Sequence, residues 1–180
     1  ALLADIDLVG NDVQTFCERW FADGLAKAFS HVYVDFPRRT ELPPGQVRTL
    51  ADDEGLRPYW VHLRPEQVFF MDYEVINSEE VLREIRFWEE VNVRQGFAVV
   101  PVRQIRRVFM TPTGGAVELY REQQRKVGGR IVYELIDSYV FDFDCIPLVT
   151  FYADRSGFMC GVPPLEDLAN LNLAHWQSTS

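Results

Sequence analysis

Asp142 and Asp144 stand two residues apart at the end of a β-rich run, a spacing that puts both carboxylates on one face of a strand. Such a pair could act as general acid and base, or form a solubilising rim at a strand mouth, which is the plainer reading. Asp52-Asp53-Glu54 groups three adjacent carboxylates without partners at ligand spacing, so a solvated loop is expected there before a metal site. The cysteines, Cys17, Cys145 and Cys160, are odd in number and widely spaced, which gives neither a disulfide framework nor a zinc pattern and points to a reducing, intracellular setting. Cys17 falls on an apolar helix face and reads as core. His31, His62 and His175 are scattered over strand and helix positions and read as structural or interface residues. Phosphate-cradling glycine loops, His pairs at metal-binding helical spacing and glycine-flanked serine elbows are all missing. No cofactor, metal or catalytic residue is therefore expected, and the chain reads as a non-enzyme.

The 180 residues, 47% of them hydrophobic and 13% aromatic, are enough for a folded core. Eighteen basic residues against 27 acidic ones leave a net charge of -9. Because affinity for DNA comes mainly from neutralising phosphates with Lys and Arg, such a chain is a poor nucleic-acid binder, although it could surround a duplex without gripping it. No apolar run approaches the roughly 18 residues that span a bilayer, and no membrane partner is expected.

These side chains need elements to hold them. Asn11 or Asp12 can cap a helix carrying Val13, Phe16, Cys17, Trp20, Phe21, Leu25 and Ala28 on one face, ending near Phe29 or Ser30. His31 to Phe36 is a strand stopped by Pro37, and 37–58 reads as a long loop with one helical turn between Gln46 and Ala51. Strands follow at Tyr59 to Leu63 and Val68 to Val75. Over Val81 to Val93 two periods compete. Val81, Leu82, Ile85 and Trp88 fit a helix capped by Ser78, whereas Ile85, Phe87, Val91 and Val93 fit a solvent-facing strand. Val100 to Met110 and Ala116 to Arg121 flank the turn Thr111 to Gly115, and Gly128-Gly129 turns into a strand over Ile131 to Phe143. The expected architecture is α+β, a single domain over 1–180 with an N-terminal amphipathic helix on a mostly antiparallel sheet.

The last stretch gives a strand, Leu148 to Tyr152, a glycine-containing turn, and a helix opening after Pro163-Pro164 with Glu166 and Asp167 at its positive end. Leu168, Leu171, His175 and Trp176 form a candidate packing or interface face on it. Neither a stop signal before Ser180 nor an initiator Met at Ala1 is present, so a longer chain is expected, with this helix running on past Ser180.

Ile146-Pro147-Leu148-Val149-Thr150-Phe151, then Gly161, then Pro164-Leu165-Glu166-Asp167-Leu168-Ala169-Asn170-Leu171-Asn172 resemble, in order, a segment found in tailed-phage portal proteins. The opening, Asp5-Ile6-Asp7-Leu8-Val9-Gly10-Asn11 with Val32-Tyr33-Val34-Asp35-Phe36-Pro37, is similar to the same proteins, and Leu63 to Val68 and Val102 to Arg106 resemble their strand segments. The pattern is nearest to the phage and prophage family of unknown function DUF4055. None of these motifs is catalytic; they mark a fold, and function follows by analogy.

The resemblance implies the wing region of a structural subunit of a dodecameric portal ring, the head-tail connector at one capsid vertex, through which DNA is packaged and ejected. It implies self-association, a terminase motor on one side and neck, tail or capsid proteins on the other, and DNA passing without specific binding. It places the protein in the virion, or in the host cytoplasm during assembly. Residues 163–180 would begin a stem-type helix, and Val81 to Val93 would be strand. The alternatives are another head or neck component, such as a minor capsid or adaptor protein, and a hydrolase using Asp142 and Asp144.

Overall fold

A computed structural model describes residues 2–37, 45, 47, 49, 56–122 and 132–179. The chain is α+β, with its N-terminal and C-terminal helices present and every described strand pair antiparallel. It divides into two compact units, residues 1–63 with 147–180, and residues 64–146. Composition marks neither boundary, since Leu63-Arg64-Pro65 and Ile146-Pro147 are short crossings without a linker. The loop expected over 37–58, with the helical turn expected between Gln46 and Ala51 and the acidic cluster, and the turn expected at Gly128-Gly129 lie largely outside the described residues.

In the first unit, α1 (Val13–Lys27) begins at Asp12, whose carboxylate accepts the Thr15 N–H at 2.7 Å. It ends where Ala28 turns to φ +78°, directly into β1 (Phe29–Asp35). β1 is the centre of a three-stranded sheet, with β2 (Tyr59–Leu63) on one side and β8 (Leu148–Tyr152) on the other. One face carries Ser30, Val32, Trp60, His62 and Phe151 toward α1, and Ile6, Phe16 and Val32 form its core with Trp20 and Trp60 against them. Phe16 meets Trp60 edge-on at 5.6 Å, and Trp20 meets Phe151 at 6.1 Å. Of the expected apolar helix face, Phe16 and Ala28 are buried while Phe21 and Leu25 are exposed, Phe21 resting against the Phe151 ring of β8 at 5.0 Å; Gly24 also lies close to β8. A Cβ there would sit 2.2 Å from the Phe151 ring. A two-stranded hairpin, β9 (Arg155–Gly157) with β10 (Cys160–Gly161), precedes α2 (Glu166–Thr179).

The second unit is a five-stranded meander in chain order: β3 (Val68–Ile76), β4 (Glu79–Gln95), β5 (Ala98–Thr111), β6 (Gly114–Glu122) and β7 (Tyr133–Phe141). The ambiguous 81–93 segment is therefore strand. Ser78 caps no helix; Asn77 (φ +52°) and Ser78 (φ +68°) form a two-residue hairpin turn that pairs Ile76 with Glu79. Positive φ at both central residues matches the right-handed strand twist. Ile85, Phe87, Val108 and Val117 lie buried on one face of this sheet, as period-two alternation requires.

Candidate functional site

Asp142 and Asp144 lie beyond the end of β7, exposed in the connection toward β8, so no strand aligns their carboxylates on one face. Cys17 is half-buried on α1, and Cys145 and Cys160 are exposed; all three are free thiols. No group of three or more His, Cys, Asp or Glu side chains among the described residues could hold a metal ion.

Two histidines sit in the three-stranded sheet on opposite faces. His31, fully buried, shares a hydrogen bond between Nδ1 and the Thr150 hydroxyl at 2.9 Å. Its Nε2 has no hydrogen-bond partner among the described residues, and burial, with His62 nearby, pushes its pKa down to about 4. His62 faces α1, with Nε2 3.5 Å from Asp23 Oδ2. A hydroxyl, an imidazole, a second imidazole and a carboxylate thus lie close in space. The alternation of β1 and β2 turns the first pair away from the second, because His31 is aligned with Leu63 and His62 with Val32. No nucleophile, base and orienting acid line up across the sheet.

The opening loop is tied internally. Asp7 accepts the N–H groups of Val9 (3.0 Å) and Asn11 (3.2 Å) and the Asn11 side-chain amide (2.6 Å). Burial raises the Asp7 pKa, but these donors outweigh it and leave the carboxyl below its usual range. A concavity of about 310 Å³ beside this loop is lined by Asp7, Asn11, Phe16, Trp60 and His62 among others. Asp7 is consumed by its own loop, so the concavity offers no free carboxylate.

On the other face of the five-stranded sheet, Arg107 holds Glu84 through two 2.8 Å hydrogen bonds and Glu118 through one of 2.9 Å. Tyr120 donates to Glu118 at 2.8 Å. The Arg107 hydrogen bonds lower the Glu84 pKa against an opposing burial effect. Arg86 lies 4.2 Å above the Phe70 ring, Arg103 4.9 Å from the Trp88 ring and Arg107 4.1 Å from the Phe109 ring. These guanidinium groups are committed to carboxylates and rings, which leaves that face poorly equipped to neutralise phosphates.

The four residues singled out on the last helix are brought onto one element, α2, and all are exposed, with Leu168, Leu171 and Trp176 at 54%, 66% and 65%. Leu173 is exposed as well, so α2 leaves large apolar side chains in water on more than one side. Sequence reasoning missed the β4–β5 hairpin, whose apex Phe97 is fully exposed. Gln95-Gly96-Phe97 was its signal, a glycine turn between valine-rich runs. Compared with known proteins, the chain matches no family model and no curated sequence.

Proposed function

We propose that this chain is a structural, non-catalytic part of a phage or prophage portal-like protein, a subunit of a ring through which DNA is packaged and ejected. One observation carries the reading. Two of the stretches that resemble portal proteins, Val32 to Pro37 and Ile146 to Phe151, are far apart in sequence and pair in one small sheet, while Leu63 to Val68 and Val102 to Arg106 fall mainly in the other unit. The Val34 N–H donates to the Pro147 carbonyl at 2.9 Å, and Tyr33 and Val32 pair with Leu148 and Val149. The opening stretch joins them, since the Ile6 carbonyl accepts the Trp60 N–H at 3.0 Å and the buried Ile6 side chain packs with Val32.

Charge and site chemistry support the same reading. A duplex that must slide is best not gripped; net charge -9 and committed guanidinium groups suit passage over binding. The exposed faces of α2 and of the β4–β5 hairpin supply apolar surface for self-association. The ring would take a terminase motor and neck or tail proteins as partners, at a capsid vertex.

Native mass spectrometry of the intact gene product tests this. A closed assembly of many identical subunits is expected. A monomer or dimer at every salt and protein concentration would overturn the ring and leave a neck or minor capsid component as the reading to pursue.

A further inference from the structure

α1 stops at Lys27 and β1 starts at Phe29, so one residue, Ala28, makes the whole turn between them. It does so at φ +78° and ψ −33°, a conformation that an L-residue holds only where its surroundings enforce it. Ala28 is 2% exposed, and two backbone contacts hold it there. The Ala153 N–H, just past the end of β8, donates to the Ala28 carbonyl at 2.8 Å, and Gly161 of β10 lies against the same carbonyl. A Cβ on Gly161 would stand 2.9 Å from the Asp154 carbonyl oxygen, 3.1 Å from that of Ala28 and 3.2 Å from the Ala28 Cβ. The φ of Gly161 is not positive, so glycine is needed here for closeness alone.

That contact is joined to α2 almost without slack. The next N–H, of Val162, donates to the Asp154 carbonyl at 2.9 Å. The rings of Pro163 and Pro164 then fix their own φ angles, and the Pro163 carbonyl accepts the Glu166 N–H at 3.0 Å as the helix opens. α2 has 14 residues, a lever roughly 21 Å long at about 1.5 Å per residue, so a small turn at its root is a large swing at its tip. We propose that Gly161 and Ala28 form a strained latch that sets the direction in which α2 leaves the sheet. Closed, the latch holds α2 in one direction and keeps Ala28 strained. A load on α2 that lifts Gly161 lets Ala28 relax and frees the helix to swing. All parts of the latch belong to one compact unit, so it operates whether or not the chain assembles into a ring.

Nitroxide labels carried on p-acetylphenylalanine at Ala22 of α1 and Ala174 of α2, both exposed, read that direction as a pulsed-EPR distance. The intact protein is diluted with unlabelled protein so that only distances within one chain are seen. The wild type is expected to give one narrow distance. Gly161→Ala is expected to shift or broaden it, while Gly157→Ala leaves it unchanged, since a Cβ there meets only the Cys160 Cβ at an ordinary 3.8 Å. Ala28→Gly relieves the strain without adding an atom. In hydrogen exchange it is expected to slow the Ala153 and Val162 amides by one shared factor of about ten. A broad distance in the wild type would overturn the latch, as would an unaltered one in Gly161→Ala, or amides that respond to Ala28→Gly by different factors.

Discussion

Gly24 is where α1 approaches β8 most closely, and a methyl group there would collide with the Phe151 ring. Gly24→Ala should therefore destabilise the chain by about 1–3 kcal/mol in chemical denaturation, even though alanine is the better helix former. An unchanged midpoint would show that the ring yields freely. His31 carries the pH dependence of the same unit. Its folded pKa of about 4 lies below the ordinary 6.5, so the unfolded chain takes up a proton first. The His31 contribution to stability should be full above pH 6.5, fall as pH drops from 6.5 toward 4, and be gone below, a total of about 3 kcal/mol. His31→Gln should flatten that slope, whatever it costs at neutral pH. A slope retained in His31→Gln would place the titration elsewhere. Neither residue's role was legible from spacing. Glycine inside a helix reads as a propensity cost, and the sequence shows the histidines without the strand register that separates them.

Among elements, β4 is the instructive case. Its residues satisfy helical and strand periods together, and the choice falls to Asn77-Ser78, whose paired positive φ angles start a hairpin. Once β4 is strand, Glu84 and Arg107 lie diagonally across β4 and β5 on one face, with Glu118 opposite Arg107 on β6. Both members of the first pair are mostly buried and the contact is bidentate. A double-mutant cycle on Glu84→Gln and Arg107→Met should give a coupling of about 1 kcal/mol, smaller at high salt. Because the Glu84 pKa is lowered, this contribution is present above its ordinary value of 4.5 and is lost as pH falls below it. A coupling of zero at low salt would make the pair incidental. Helix α1 with its Asp12 cap, β1, β2, β8 and the Thr111 to Gly115 turn were all readable, since each has one dominant local signal. Asp142 and Asp144 were not, because alternation cannot show that β7 ends at Phe141.

For the whole molecule, the division into two units explains what the sequence hid. A chain that leaves one unit at Leu63 and returns at Pro147 keeps its first and last motifs together and inserts a complete meander between them. The termini-first resemblance, strong at both ends and fainter in the middle, follows that organisation. The proposed function rests on surfaces, a net charge of -9 and guanidinium groups already committed to carboxylates and rings. The helix α2 was legible from its Pro163-Pro164 start and leucine spacing, whereas the long β4–β5 hairpin depended on strand lengths that only the paired sheet reveals. Negative-stain electron microscopy of the intact gene product tests the central claim most directly. Rings with a central channel wide enough for a DNA duplex are expected; a field of compact monomers or small dimers would overturn the ring reading.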